Sequence, residues 1–290
     1  MAVFYNQATL SYNGNVTASN ITTGEIIEVL SAAKDAVIDT YSPDRDTVYV
    51  ISIVNAGTED YTGLTITDDL GAYEYGEPPT QLIPLTYEEG SVNYYVNGVQ
   101  QASPAVISSS PLVMTGITVP AGGNALIIYS ARANSYAPLG ADGTVTNTAI
   151  ITGAGIFTPV TAAATVAAYN AADLSISKSL SPSTVPENGR LTYTFIIQNY
   201  GSTPAESADD IVFRDDFDPI LSGITATFNG TPWTAGINYT YDQTTGQFVS
   251  NAGQITVPAA VYTQDPITGE WSVQPGTSTL EISGNITSGA

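Results

Sequence analysis

The two lysines of this chain, Lys34 and Lys178, are the starting point for any chemistry that it can do. Around Lys178 the sequence alternates, and the apolar residues Leu174, Ile176 and Leu180 fall in phase with the lysine. Because successive side chains of a β-strand point to opposite faces, Lys178 is predicted to face the core. Burial disfavours the charged ammonium and leaves a neutral amine, which is a nucleophile.

Two aspartates show the same conflict between charge and strand phase. Asp68 and Asp215 each lie in phase with three apolar residues, namely Leu64, Ile66 and Leu70 for the first and Ile211, Phe213 and Phe217 for the second. A carboxyl group in apolar surroundings favours its protonated form. Each half of the chain is therefore predicted to contain one inward lysine and one inward aspartate.

Two asparagines occupy matching places in two similar strand patterns. The residues that share one face are Phe4, Asn6, Ala8 and Leu10 in the first pattern and Val145, Asn147, Ala149 and Ile151 in the second. Both patterns read apolar, Asn, Ala, aliphatic. The sequence thus sets an amide among core-facing residues twice.

A set of Lys, Asp and Asn has the groups needed to form an isopeptide bond. A protonated Asp polarises the Asn carbonyl, the neutral Lys amine attacks, and ammonia leaves. The predicted bonds join Lys34 to Asn147 with Asp68 as the acid, and Lys178 of one subunit to Asn6 of the next with Asp215 as the acid. The alternative that the sequence leaves open is a buried salt bridge between Lys and Asp, with Asn capping a neighbouring backbone group.

These residues recur because the chain contains an internal repeat. Four blocks match in the same order: Leu30–Lys34 with Leu174–Lys178, Tyr49–Gly57 with Tyr193–Gly201, Leu64–Leu70 with Ile211–Phe217, and Val119–Leu126 with Val273–Leu280. The 26 Gly, 17 Pro and 11% charged residues suit short strands joined by turns. We therefore predict an all-β protein with two tandem immunoglobulin-like Greek-key β-sandwiches, at residues 24–155 and 170–290.

The two predicted domains differ at their ends. The first continues through the strand that contains Asn147, whereas the second is predicted to lack its last strand and to expose an apolar groove with unpaired backbone groups. Residues 1–12 are predicted to be a donor strand that fills this groove in another molecule. Residues 13–23, which are rich in Gly, Asn, Ser and Thr, are predicted to be a flexible linker.

The composition excludes several classes of function. A formal charge of −21 disfavours nucleic acid as a partner. The sequence has no His and no Cys, so histidine bases, thiolate nucleophiles and the common zinc sites are excluded. We predict no enzyme activity apart from self-cross-linking, no cofactor and no metal. We also predict no membrane insertion, since no apolar run approaches about 20 residues, and we recognise no secretory leader.

With these motifs the chain resembles the bacterial surface conserved-repeat domain, once catalogued as domain of unknown function eleven. The resemblance rests on the Lys strand, Asn55-Ala56-Gly57 or Asn199-Tyr200-Gly201, the Thr-Asp turn at Asp68, Pro120-Ala121-Gly122-Gly123, and Asn147-Thr148-Ala149. It implies immunoglobulin-like domains strung along surface proteins. The Lys, Asp and Asn set is also similar to the sets that form isopeptide bonds in Gram-positive surface domains. Paired copies without a leader are similar to the major proteins of spore appendages, which implies synthesis in the mother cell.

The sequence therefore predicts a non-enzymatic structural subunit of an extracellular or spore-surface filament. In this prediction the N-terminal strand of each copy enters domain 2 of its neighbour, and a contact that does not close on itself generates a filament. The competing prediction is a monomeric surface adhesion or carbohydrate-binding module, whose N-terminal strand folds back onto its own second domain.

Overall fold

The computed structural model describes residues 2–43 and 45–287, and nearly all of its regular structure is β-strand. The described part contains one short 3₁₀ helix, Ser207–Asp209. The chain divides into two compact units, residues 2–138 with Thr144–Ala167, and Leu139–Gly143 with residues 168–287. The all-β prediction is confirmed. Residue 1 of the predicted donor strand and the predicted domain end at residue 290 lie outside the described residues.

Residues 2–26 form one long β-hairpin, which we call the N-terminal hairpin. Its first arm consists of β1 (Ala2–Asn6) and β2 (Thr9–Tyr12), and its second arm consists of β3 (Asn15–Ala18) and β4 (Thr22–Ile26). Strand β1 pairs with β4, and β2 pairs with β3, in antiparallel register. The predicted donor strand is therefore one arm of a hairpin.

The prediction of a flexible linker over residues 13–23 is wrong. Asn13 and Gly14 have φ angles of 48° and 77°, which suit the two-residue turn that an Asn-Gly sequence favours between antiparallel strands. A bulge follows at Ser19, whose N–H donates to the Ala8 carbonyl at 2.8 Å. The Thr and Val residues of this segment suit a strand, so what resembles a polar linker is the second arm of the hairpin.

Domain 1 follows the N-terminal hairpin and contains two six-stranded sheets. One has the order β13-β12-β16-β7-β5, with β11 also paired to β16, and the other has the order β14-β15-β8-β17-β18-β6. Strands β9 and β10 form a separate two-stranded sheet. The strands are β5 (Leu30–Ala36), β6 (Thr40–Tyr41), β7 (Asp46–Asn55), β8 (Tyr61–Asp68), β9 (Tyr73–Tyr75), β10 (Thr80–Leu82), β11 (Leu85–Tyr87), β12 (Asn93–Val96), β13 (Val99–Gln101), β14 (Ala105–Ser109), β15 (Leu112–Val119), β16 (Asn124–Ala133), β17 (Thr144–Thr152) and β18 (Val160–Ala168).

The core of domain 1 lies between its two sheets. Alternate residues of β7, among them Ile51 and Ile53, are fully buried, and so are Leu64 and Ile66 of β8 in the facing sheet. This alternation follows from the two-residue period of a strand. It places residues of the two sheets face to face in one hydrophobic layer.

Strand β17, which contains Asn147, is an inner strand of its sheet and not the last one. It pairs with β8 on one side and along its length with β18 on the other. Domain 1 therefore extends beyond its predicted end at residue 155. The alanine-rich sequence of β18 gives a weak strand signal, because Ala has a low β propensity.

Domain 2 has a five-stranded sheet, β19-β20-β28-β22-β23, and a second sheet of only three strands, β21-β25-β24. A two-stranded ribbon, β26-β27, is separate from both. The strands are β19 (Leu174–Ser181), β20 (Arg190–Asn199), β21 (Arg214–Asp216), β22 (Leu221–Phe228), β23 (Thr231–Trp233), β24 (Tyr239–Asp242), β25 (Gln247–Ser250), β26 (Val261–Gln264), β27 (Trp271–Gln274) and β28 (Gly276–Ile286).

Aromatic rings fill the core of domain 2. The ring centroids of Phe195 and Phe213 lie 4.6 Å apart, and those of Tyr193 and Phe217 lie 4.9 Å apart. Phe248 is fully buried against this cluster. These contacts join the two sheets of domain 2 as the aliphatic residues join those of domain 1.

The strand registers show which residues of the two domains correspond. Leu30 pairs with Asn55 as Leu174 pairs with Asn199, in agreement with the first two repeat blocks. The last block is shifted by one residue, since the buried residue that corresponds to Leu280 is Ile127 and not Leu126. A shift of one residue exchanges the two faces of a strand, so this correction decides which side chains of β16 and β28 enter the core.

The alternation along β7 yields a matched pair of substitutions. Ile53→Ala removes a fully buried side chain, whereas Val54→Ala truncates its exposed neighbour on the same strand. Chemical denaturation should show that Ile53→Ala lowers the free energy of unfolding of domain 1 by about 2–5 kcal/mol, and that Val54→Ala lowers it by less than about 1 kcal/mol. Equal losses would contradict the assigned strand faces.

Candidate functional site

Lys34 and Asp68 meet in the core of domain 1. Lys34 extends from β5 in one sheet and Asp68 ends β8 in the other, and Lys34 Nζ lies 2.6 Å from Asp68 Oδ2. Both side chains are fully buried. Lys34 Nζ also lies 5.1 Å and 5.7 Å from the ring centroids of Tyr49 and Tyr129. The alternation of apolar residues in the sequence therefore correctly predicts that Lys34 and Asp68 face the core.

The environment of this pair favours its uncharged form. Burial lowers the pKa of Lys34, an effect that the nearby Asp68 carboxylate opposes. Burial likewise raises the pKa of Asp68, against the attraction of Lys34. The Leu70 N–H donates to Asp68 Oδ1 at 3.1 Å and orients the carboxyl group. A neutral amine beside a protonated carboxyl is the state that nucleophilic attack requires.

Tyr129 on β16 connects this pair to the predicted amide. Its hydroxyl donates to Asp68 Oδ2 at 2.7 Å and accepts from Asn147 Nδ2 at 2.9 Å. Burial, followed by the Asp68 charge, raises the pKa of Tyr129 well above its ordinary value. Sequence reasoning missed this residue. Its position two residues after buried Ile127 was the available signal, but the shifted alignment of the last repeat block hid it.

Asn147 is fully buried, and its side chain contacts the phenol of Tyr129 instead of capping a backbone group. Its carbonyl oxygen, Oδ1, is buried and accepts no hydrogen bond from any described residue. A buried polar atom without a partner is destabilising and calls for a specific reason. In a Lys-Asp-Asn reaction this oxygen is the one that an acid would polarise.

The backbone beside Asn147 is fixed to the turn that follows Asp68. The Thr148 N–H donates to Asp69 Oδ1 at 2.8 Å, and the Asp69 N–H donates to the Thr148 carbonyl at 2.9 Å. Ala149 lies opposite Asp68 in the pairing of β17 with β8. These contacts set the register of β17 and thereby bring Asn147 to Tyr129 and Asp68.

Domain 2 contains the corresponding pair in a different environment. Lys178 Nζ lies 2.6 Å from Asp215 Oδ2 and 4.7 Å from the ring centroid of Tyr193. The prediction that Lys178 is buried is wrong, since its side chain is 44% exposed and that of Asp215 is 18% exposed. Lys178 faces the aromatic cluster of domain 2, but no described strand covers it. The residue that corresponds to Tyr129 is Ile282.

Lys178 is exposed because it lies in an open groove. We define this groove by β19 and the free edge of β21. Every residue of β19 is exposed, and Leu174 is 40% exposed where the corresponding Leu30 is 8% exposed. Strand β21 pairs with β25 on one side, and no described strand pairs with its other side. In domain 1 the corresponding side of β8 is occupied by β17.

The predicted donor residues lie in the first arm of the N-terminal hairpin. Phe4 and Leu10 are more than half exposed, and Asn6 and Ala8 are exposed as well. Asn6 lies opposite Thr22, and none of the described hydrogen bonds joins it to a lysine or an aspartate. The structure thus brings Lys34, Asp68 and Asn147 into one cluster but does not join Asn6 to Lys178 and Asp215.

The described residues include no helix long and apolar enough to cross a membrane. They also include no group of three or more His, Cys, Asp or Glu residues arranged to hold a metal ion.

Comparison with known proteins identifies weak structural similarities. No protein-family profile matches the chain, and no curated protein sequence matches it. Among solved structures, the pilus backbone protein RrgB of Streptococcus pneumoniae aligns with 12% identity and a TM-score of 0.34, over 85% of this chain and 55% of that one. The major pilin BcpA of Bacillus cereus aligns with 10% identity and a TM-score of 0.35, over 94% of this chain and 73% of that one.

A collagen-binding domain of the Enterococcus faecalis surface protein ACE aligns with 8% identity and a TM-score of 0.32, over 50% of this chain and 99% of that one. The chain thus spans about half the length of RrgB. Similarity at this level does not show that this chain assembles as those proteins do or binds the same ligand. The resemblance to the conserved-repeat domain stays a prediction.

The two Lys-Asp pairs differ in burial, which predicts that replacing the aspartate by alanine destabilises domain 1 much more than domain 2. Asp68→Ala leaves the buried Lys34 Nζ and the Tyr129 hydroxyl without their shared hydrogen-bond partner, and it should lower the free energy of unfolding of domain 1 by about 3–5 kcal/mol. Asp215→Ala leaves the half-exposed Lys178 in contact with water, and its loss in domain 2 should be about 0–1 kcal/mol. Calorimetry of both variants as monomers checks this contrast, and a larger loss for Asp215→Ala would contradict it.

Proposed function

We propose that this protein is the structural subunit of an extracellular filament, in which the first arm of the N-terminal hairpin of one copy enters the open groove of domain 2 of the next. The observation that supports the proposal is the difference between the two Lys-Asp pairs. Strand β17 covers the pair in domain 1, whereas the pair in domain 2 is half-exposed at an unpaired sheet edge. An unpaired edge beside apolar pockets favours the addition of a strand.

The first arm has the residues to take the place of β17. If Asn6 takes the place of Asn147, Ala8 lies opposite Asp215 as Ala149 lies opposite Asp68. The Gln7 N–H then reaches Asp216, as the Thr148 N–H reaches Asp69. The side chains at the ends of the arm, Phe4 and Leu10, take the places of Val145 and Ile151 and become buried.

This contact generates a filament because its two surfaces lie at different places in the chain. The donor surface belongs to residues 2–12, and the acceptor surface belongs to β19 and β21 of domain 2. A contact between unlike surfaces leaves one donor and one acceptor free at the ends of every assembly. We assign the filament to the exterior of the cell or the spore, in line with the resemblance to surface and spore-appendage proteins, and we assign it no enzymatic role.

We further propose that isopeptide bonds lock the subunits. In domain 1 the Lys34 amine attacks the side-chain amide carbon of Asn147, a new C–N bond to Nζ forms, and the bond to Nδ2 breaks. Protonated Asp68 is the acid of this reaction: its proton goes to the departing nitrogen, which leaves as ammonia, and Asp68 regains a proton from the attacking Lys34 nitrogen. Because the reacting groups are held in a dry core, proximity supplies much of the acceleration.

Tyr129 has a place in this scheme for domain 1. Its hydroxyl lies between the Asp68 carboxyl and Asn147 Nδ2, so it can pass a proton from the acid to the departing nitrogen. In domain 2 the corresponding Ile282 has no proton to pass, and Asp215 acts directly on Asn6 of the incoming arm. The bond between subunits forms only after the arm covers Lys178, because the reaction needs the amine out of water.

Removal of the donor arm tests the assembly. A variant without residues 1–12 should remain monomeric by light scattering at concentrations where the full chain polymerises, because nothing then fills the groove of domain 2. A synthetic peptide of residues 4–12 should bind this variant and raise the melting temperature of domain 2. Filaments formed by the truncated chain would refute strand exchange, whereas a monomeric full chain at every concentration would favour self-binding of the arm.

The covalent step is tested separately by mass. Each isopeptide bond removes one ammonia, so subunits from filaments should lack the mass of two ammonia molecules per copy, and the filaments should survive boiling in detergent. Lys178→Met should give filaments of ordinary appearance that fall to monomers in detergent, and these monomers should keep the internal bond and lack the mass of only one ammonia. Subunits of full mass would mean that both lysines form salt bridges and that strand pairing alone holds the filament.

A further inference from the structure

We propose that the unit exchanged between subunits is the whole N-terminal hairpin and not one strand. In this arrangement the first arm takes the place of β17, and the second arm takes the place of β18. The inference rests on the proposed function and identifies what the acceptor groove receives. It also changes how neighbouring subunits are joined.

The groove of domain 2 has room for two strands. In domain 1, β18 pairs with β17 from Thr144 opposite Ala167 to Ile151 opposite Val160. The corresponding sheet of domain 2 contains three described strands where domain 1 has six, and none of the three corresponds to β17 or β18. A single donor strand would therefore leave a new unpaired edge beside it.

The N-terminal hairpin is already folded as the pair that this groove lacks. Its arms are antiparallel, as β17 and β18 are, and Asn6 lies opposite Thr22 as Asn147 lies opposite Ala164. Thr23, the next residue of the second arm, then takes the place of Thr165, which is exposed on the outer face of β18. The inner and outer faces of the two hairpins therefore match. The match covers β1 and β4, and beyond the bulge at Ser19 the register of the hairpin shifts by one residue.

Side-chain volume supports the same correspondence. In domain 1, Val145 lies opposite Val166, and both are buried. In the N-terminal hairpin their places are taken by Phe4 and Gly24, which also lie opposite each other. The Phe4 ring lies over Gly24, where an added Cβ would clash with the ring. A larger residue on one arm and a smaller one on the other keep the buried volume similar, which a close-packed core requires.

The exposed apolar residues of the hairpin also fit this arrangement. Phe4 and Leu10 are more than half exposed in the single chain, although the corresponding residues of β17, Val145 and Ile151, are buried. An isolated two-stranded hairpin has little independent stability in water. A second copy of this chain offers the groove that would cover it.

Exchange of the whole hairpin makes the connection between subunits very short. The second arm ends at Ile26, and the Ala56 N–H holds the Val29 carbonyl of the same chain at 2.8 Å in domain 1. Residues 27–28 are then the joint, whereas a single-strand donor would extend residues 13–23 as a tether. At about 3.5 Å per residue, the joint spans at most on the order of 10 Å. Neighbouring subunits are therefore held close together.

Cysteine labelling of the filament tests the position of the second arm, since the chain has no cysteine of its own. Thr22→Cys marks the inner face, and Thr23→Cys marks the outer face of the adjacent residue as a matched control. Both positions are exposed in the single chain, so both should react with a maleimide in monomers. In filaments, labelling at position 22 should fall by at least about tenfold, and labelling at position 23 should be unchanged. Equal labelling of both positions in filaments would overturn the inference and leave strand exchange intact.

A disulfide staple gives a second test that does not depend on the inner face. Thr9 and Ala18 lie opposite each other, so Thr9→Cys with Ala18→Cys should fix the two arms together. The oxidised variant should form filaments to the same extent as the wild type. Filaments that form only after reduction would show that the arms must separate, which overturns hairpin exchange. Filaments formed by the variant that lacks residues 1–12 would instead overturn the proposed function.

Discussion

The burial of a lysine and an aspartate between two sheets is the constraint on which the rest of this structure depends. Lys34 and Asp68 are fully buried at a separation of 2.6 Å, and burial shifts the pKa of each toward its neutral form. Such a pair is stable only where neighbouring groups exclude water and satisfy the remaining polar atoms. Strand β17 does this in domain 1, because it brings Asn147 to the Tyr129 hydroxyl and closes the sheet over the pair.

Domain 2 contains the corresponding pair, Lys178 and Asp215, but no described strand covers it as β17 covers the pair of domain 1. This difference connects the fold to the proposed assembly. The apolar residues of β19 and the free side of β21 surround Lys178, which is held over aromatic rings and half-exposed to water. Covering them would repeat in domain 2 the environment of domain 1. If the proposed strand exchange takes place, it would also exclude water from Lys178, which the proposed cross-linking reaction requires.

The sequence predicted much of the fold because repeat spacing and strand phase are strong signals. They identified two β domains and the inward positions of Lys34, Asp68 and Asn147. Phase alone does not report whether another strand covers a residue, so it gave the wrong burial for Lys178. The Asn-Gly turn at residues 13–14 was the signal for the hairpin, but the polar composition around it suggested a linker instead. Tyr129 was missed because a one-residue error in strand alignment exchanges inside and outside.

Electron cryo-microscopy of the assembled protein tests the central claim most directly. We predict density for added β-structure along the free side of β21 in every domain 2, continuous through residues 27–28 with domain 1 of the neighbouring subunit, and with Asn6 beside Lys178. An empty groove in a filament, or a groove filled by the N-terminal hairpin of the same subunit, would contradict it.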